Sequence, residues 1–108
     1  MTLEWKFHGQ DLSVHIGGGD DHIGAVALAG REPEGGVFAH VLRIRPHRED
    51  VLAREAAATL HEALGVCVCV SAGIHVDAIT PAEIEDVLGN VRAAVSELAR
   101  GLGRARPG

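Results

Sequence analysis

Val66-Cys67-Val68-Cys69-Val70 is apolar at every position and lies between two segments of helical periodicity. Five residues are too few for a buried helix, and valine at alternate positions favours an extended chain, so the run reads as a strand. A strand apolar on both faces needs cover on both, by helices or by a partner chain. It is therefore the expected central strand. Before it, residues 49–64 place Leu52, Ala56, Leu60, Ala63 and Leu64 on one stripe of a helix. Glu49 and Asp50 suit the positive end of its dipole, and Gly65 suits the left-handed residue that closes it. After it, Thr80-Pro81-Ala82-Glu83 combines an N-cap hydroxyl, a proline at the first helical position and a glutamate placed to bond back to the cap. Ile84, Val87, Leu88, Val91, Ala94, Val95 and Leu98 continue that helix as an apolar stripe. Gly89 interrupts it at a cost of about 1 kcal/mol relative to Ala, so either another backbone passes close by or the cost is carried.

The first half of the chain has the period of strands instead. Leu3, Trp5 and Phe7, then Leu12, Val14 and Ile16, alternate with polar residues on either side of a Gly9-Gln10 turn, which predicts a hairpin. Gly17 to Asp21 breaks the pattern and reads as a flexible turn; the acidic Asp20 and Asp21 argue against a phosphate-cradling loop there. Ile23 to Ala29 and Val37 to Ile44 supply two more strands around a turn at Gly30 to Gly36. The expected fold is α+β: a single domain whose mainly antiparallel sheet of about five strands packs on one face against two helices, in the order β-β-β-β-α-β-α. That leaves the other face partly apolar, and a homo-oligomer would cover it. The domain is expected over residues 1–100, with 101–108, which hold Arg104 and Arg106 among glycine and proline, as a flexible basic tail.

Composition narrows the function. Leu, Ile, Val and Phe make up 30 of 108 residues, enough for one modest core. Aromatic side chains are confined to Trp5, Phe7 and Phe38 and the formal charge is −5, both unfavourable to a nucleic-acid partner. No apolar run approaches the roughly 18 residues of a membrane span, and no secretory signal opens the chain, so a cytoplasmic protein is expected. Cys67 and Cys69 would face the same side of a strand with Cα atoms about 6.6 to 7 Å apart, at or beyond the reach of an unstrained disulfide. They are expected as reduced thiols.

Seven histidines in 108 residues is an enrichment, and His22, His47 and His75 sit at strand ends, in Asp21-His22-Ile23-Gly24, Pro46-His47-Arg48-Glu49 and Gly73-Ile74-His75-Val76-Asp77. Two chemistries could use them. One is a divalent metal held by His22, His47 and His75 with Asp77 or Asp21, a nitrogen and oxygen ligand set whose spacing here is not diagnostic. The other is a phosphorylated planar ligand, with Arg43, Arg45 and Arg48 and the helix openings at His47 and Thr80 as anion sites. Ser71 could donate a hydroxyl to such a ligand. No nucleophile elbow, paired acid and base carboxylates or dinucleotide fingerprint is present, which favours a non-catalytic role.

At these strings the chain resembles the prenylated-flavin chaperone-like family of LpdD-like domains, small proteins encoded with UbiD-type aromatic acid decarboxylases. The carriers are His22-Ile23-Gly24-Ala25-Val26-Ala27, Pro46-His47-Arg48, and most specifically the run from Ala72 to Ile84. The chain departs from the family pattern at Ala78, where asparagine is common. The resemblance implies a non-catalytic protein that binds prenylated flavin mononucleotide, or delivers it to a UbiD-type decarboxylase. In that reading Arg43, Arg45 and Arg48 serve the phosphate, and His22, His47, His75 and Asp77 the ring edge. Ile23 and Ile74 form the apolar wall, with Gly24, Gly73 and Thr80 in the same strings. A metal-binding protein or small metal-dependent enzyme, and a purely structural accessory subunit of a decarboxylase, are the alternatives.

Overall fold

A computed structural model of the chain describes residues 1–44, 49–75 and 80–105, with His75 and Ala105 described by backbone only. The elements run β1 (Thr2–His8), β2 (Asp11–Gly19), β3 (Ala25–Arg31), β4 (Val37–Arg43), α1 (Asp50–Leu64), β5 (Val68–His75) and α2 (Pro81–Ala105). This is the expected α+β order. The strands form one sheet in the order β1-β2-β5-β3-β4, so the apolar run enters at the centre, between two hairpins. β5 pairs antiparallel with β3 but parallel with β2, which makes the sheet mixed.

The register separates two faces. Trp5, Val14, Val70, Ala27 and Val41 lie in one row across the sheet, flanked by the rows through Ile16 and Ala72 and through Leu12 and Val68. These rows form the core face. Small residues decide how close the first helix comes: Ala25, Ala27 and Ala29 of β3 are buried beside Ala53 and Ala57 of α1, all at 1 % exposure or less. Close-packed surfaces of this kind keep dispersion contacts dense. α2 lies along α1 and adds Val91, Val95, Ala99 and Leu102 to the same core.

Several boundaries differ from the sequence reading. Gly17 to Gly19 is not a turn but the end of β2, paired with Gly73, Ile74 and His75 of β5. The parallel partner supplies the ladder that the glycines' own propensity does not, and tertiary pairing overrides it. β5 correspondingly runs to His75 rather than stopping at Val70, and β3 begins at Ala25 rather than Ile23. Ala63 and Ile84 fall outside the buried stripes and are exposed. α2 runs beyond residue 100 to Ala105 because Leu102 is buried one turn past Leu98 and Ala99; residues 106–108 of the expected tail lie outside the described residues. At Gly89 nothing else among the described residues comes within 4 Å of where a Cβ would sit.

Helix ends follow the sequence closely. Gly65 closes α1 with φ 69°, its N–H bonded to the His61 carbonyl at 2.7 Å. Thr80 and Glu83 form the reciprocal capping box, with the Thr80 N–H on Glu83 Oε1 at 3.1 Å and the Glu83 N–H on Thr80 Oγ1 at 3.2 Å. Both cysteines are free thiols, and burial, with help from the Asp11 carboxylate, pushes the Cys67 thiol up. Among the described residues no helix is long and apolar enough to cross a membrane.

Candidate functional site

Topology gathers the candidate segments at one end of the sheet. β2 and β5 run parallel, so Gly19 and His75 finish side by side. β3 runs against β5 and starts there, at Ala25 opposite Ala72, and β4 runs against β3 and ends there, at Arg43 opposite Ala25. The chain therefore leaves this end toward β3 through residues 20–24, toward α1 after Arg43, and toward α2 after His75.

Glycine lets the first of these connections fold back onto the strands. A Cβ on Gly73 would fall onto the carbonyl of His22, and one on Gly17 onto the carboxylate of Asp21. The Gly24 N–H holds the segment there by donating to the Ala72 carbonyl at 2.9 Å, and the Ile44 N–H ties β4's exit to it by donating to the Gly24 carbonyl at 2.8 Å. Gly24 and Gly73 are thus structural contacts of the site end, and both are buried.

Two polar clusters result. On the open face the Asp21 carboxylate accepts the Nε2–H of His15 at 2.8 Å, which leaves Nδ1 to accept the Ser71 hydroxyl at 2.6 Å. The His15 hydrogen bond holds the Asp21 carboxyl below its ordinary range. The serine, imidazole and carboxylate are ordered like a relay. However, Ser71 lies within a strand paired on both sides, whose N–H groups are committed to two ladders rather than to an oxyanion. The second cluster is at the rim: the His22 Nδ1–H donates to the Asp20 carbonyl at 2.9 Å, and His22 Nε2 stands 3.4 Å from Glu49 Oε1. The second carboxylate oxygen of Glu49, Oε2, is buried with no hydrogen-bond partner among the described residues. Arg43 Nη1 lies 3.7 Å from Asp50 Oδ2, and the Arg43 side chain in this pair is about a third exposed.

Of the residues singled out from sequence, His22, Gly24, Arg43 and Gly73 lie together at this end, with the backbone of His75 beside Gly19. Ile74 is half-buried, packed against the core beside Gly18, whereas Ile23 is 53 % exposed. Thr80 is occupied by its capping box. Arg45, His47, Arg48 and Asp77 lie outside the described residues. Among the described residues no group of three His, Cys, Asp or Glu side chains is placed to hold a metal ion. Sequence reasoning overlooked Glu49, taken only as a helix-dipole residue, and His15. The period-2 pattern of β2 did assign His15 to the face opposite Val14, but its partnership with Ser71 depends on a parallel register that no local signal encodes.

A family model described as prenylated flavin chaperone LpdD-like domain matches residues 1–103. No curated protein matches the chain.

Proposed function

The chain belongs to the prenylated flavin chaperone LpdD-like family, and from that premise we propose that it holds prenylated flavin mononucleotide at the sheet end where β2, β5 and β4 finish, without catalysis, and passes it to a UbiD-type decarboxylase. The observation that carries this reading is the rim cluster. A buried Glu49 oxygen with no donor among the described residues is costly unless one is supplied, and an N–H of a ligand ring edge would supply it. The residues present fit such a group in kind. Arg43 offers a partly exposed cation for a phosphate, Glu49 and His22 offer polar atoms for a ring edge, and Ile74 offers an apolar surface. Arg45, His47, Arg48, His75 and Asp77 belong to the same proposed site by their place in the sequence. When bound, the flavin would supply the decarboxylase's chemistry; here the protein binds it, orients it and shields it.

Titration with reduced prenylated flavin mononucleotide, beside ordinary flavin mononucleotide, tests the proposal. Saturable binding of the prenylated form is expected, weakened roughly 10- to 100-fold in Arg43→Ala, as for loss of one charge-assisted phosphate contact. Glu49→Gln should weaken binding while leaving folding intact. Failure to bind either flavin overturns the reading. Retention of a decarboxylase partner by a variant with His22, His47 and His75 all changed to Ala, without flavin binding by the wild type, would point to the structural-subunit alternative.

A further inference from the structure

The two edges of the sheet are built differently. β1 alternates Glu4 and Lys6 along its open-face row, the charges with which natural sheets discourage strand addition. β4 has no Lys, Arg, Asp or Glu and no proline from Val37 to Leu42, and among the described residues it pairs with β3 alone. Two of its side chains, Leu42 at 79 % and Val37 at 61 %, are the most exposed large apolar residues among those described. By the alternation of β4, Phe38, His40 and Leu42 share the open face, and Ile44, 58 % exposed, follows them in the same period.

We propose that β4 pairs antiparallel with β4 of a second copy of this chain across a two-fold axis at His40, joining two five-stranded sheets into one of ten strands. Unpaired N–H and C=O groups along an edge are satisfied by another strand, which fixes the kind of partner. The sequence of β4 fixes which strand. About His40 the pairing is self-complementary, as a two-fold contact requires: Phe38 meets the partner's Leu42, and small Ala39 meets the partner's Val41. Phe38 already stacks on His40, with ring centroids 5.4 Å apart, so the strip offers a preordered surface to the partner's Leu42. Charge agrees with the antiparallel sense. The turn before β4 carries exposed Glu32 and Glu34, and the strand ends in Arg43, so antiparallel pairing brings each acidic turn toward the partner's Arg43. Parallel pairing would set like charges together. This assembly covers an edge, whereas the open face of β1 and β2, with its His15–Ser71 and His8–Ser13 bonds, stays uncovered.

Sedimentation of the full chain across a concentration series tests this, with Leu42→Lys as the variant. That side chain is solvent-exposed, so the far-ultraviolet spectrum should be unchanged while dimer dissociation becomes at least tenfold more favourable. A second measurement does not depend on affinity. In a Cys67→Ser, Cys69→Ser background, His40→Cys should oxidise to a covalent dimer, because residues facing each other at a two-fold lie within disulfide reach in either pair type. Lys6→Cys on the other edge should not. A wild-type monomer at all concentrations, a dimer indifferent to Leu42→Lys, or cross-linking at position 6 and not at 40 would each overturn the proposal.

Discussion

Gly73→Ala puts the architecture of the site end to a quantitative test. The added methyl would coincide with the carbonyl carbon and oxygen of His22, so the collision is with backbone and no side-chain rotation relieves it. The Gly24 N–H to Ala72 carbonyl bond at 2.9 Å resists the other escape, in which the connection lifts away from β5. Overpacking of this kind costs about 1–3 kcal/mol, and loss of the tethering hydrogen bond adds about 1 kcal/mol. Alanine's advantage over glycine in a strand returns roughly 0.5–1 kcal/mol, for a net destabilisation of about 1–3.5 kcal/mol. With an unfolding entropy of about 2.1 cal/mol/K per residue, that lowers the melting temperature by roughly 4–15 °C. Gly89→Ala makes the opposite case on α2. Among the described residues nothing beyond its own helix turn lies within 4 Å of the added methyl, which should gain about 1 kcal/mol, or roughly 4 °C. Urea unfolding followed by circular dichroism measures both. If Gly73→Ala unfolds within about 0.5 kcal/mol of the parent, His22 does not lie on β5 and the rim cluster built on that contact fails with it.

Thr80→Ala removes the capping box and should cost about 1 kcal/mol by the same unfolding measurement. Those bonds hold the Glu83 carboxyl below its ordinary range, so its contribution is present above the unfolded value and is lost as pH falls through the lower folded one. Helix content near α2's start should fall in that acid window, and Thr80→Ala should lose this pH dependence. His15→Ala removes the bond that holds the Asp21 carboxyl low, and carbon-detected NMR titration should show Asp21 moving up toward its ordinary range; an unmoved titration would refute the His15–Asp21 pairing. His61 is 3 % exposed, and its Nδ1–H donates to the Val66 carbonyl at 2.7 Å. His61→Ala opens a cavity and strands that carbonyl, and a loss of roughly 2–4 kcal/mol is expected in chemical denaturation.

What the sequence revealed and what it hid divide along a physical line. The capping box at Thr80 and the left-handed Gly65 were legible because their partners lie within five residues. The β1–β2 hairpin was legible as far as Ile16 through Leu3, Phe7, Leu12, Val14 and Ile16, where burial on one face writes a period of two. Gly17 to Gly19 misled because glycine carries no face preference, so only the distant partner β5 identifies the segment as strand. Ile84 misled in the other sense. Its spacing continues α2's stripe, but residues 81–86 are exposed, so periodicity there has nothing to pack against in one chain. The His15–Ser71 bond joins residues 56 apart, and the His22–Glu49 contact spans 27 positions across two loops. Residue types marked His22 as a candidate, but the register of a parallel pair decides what surrounds it.

The two ends of the sheet differ in a way that bears on where function resides. At the far end the chain reverses through tight turns at Gly9, Gly35 and Gly65, with φ of 63°, 100° and 69°. Left-handed glycines close such turns in few residues and leave little surface for a ligand. The near end joins elements that are not paired neighbours, β2 to β3, β4 to α1 and β5 to α2. The cause is topological. Placing β5 between β2 and β3 separates strands that follow one another in sequence, so residues 20–24 must cross the end of β5 to reach β3. That crossing sets His22 on Gly73 and within reach of Glu49. A hairpin in its place would have left the end of β5 bare, so the same insertion that makes the apolar run central also assembles the rim where a ligand would sit.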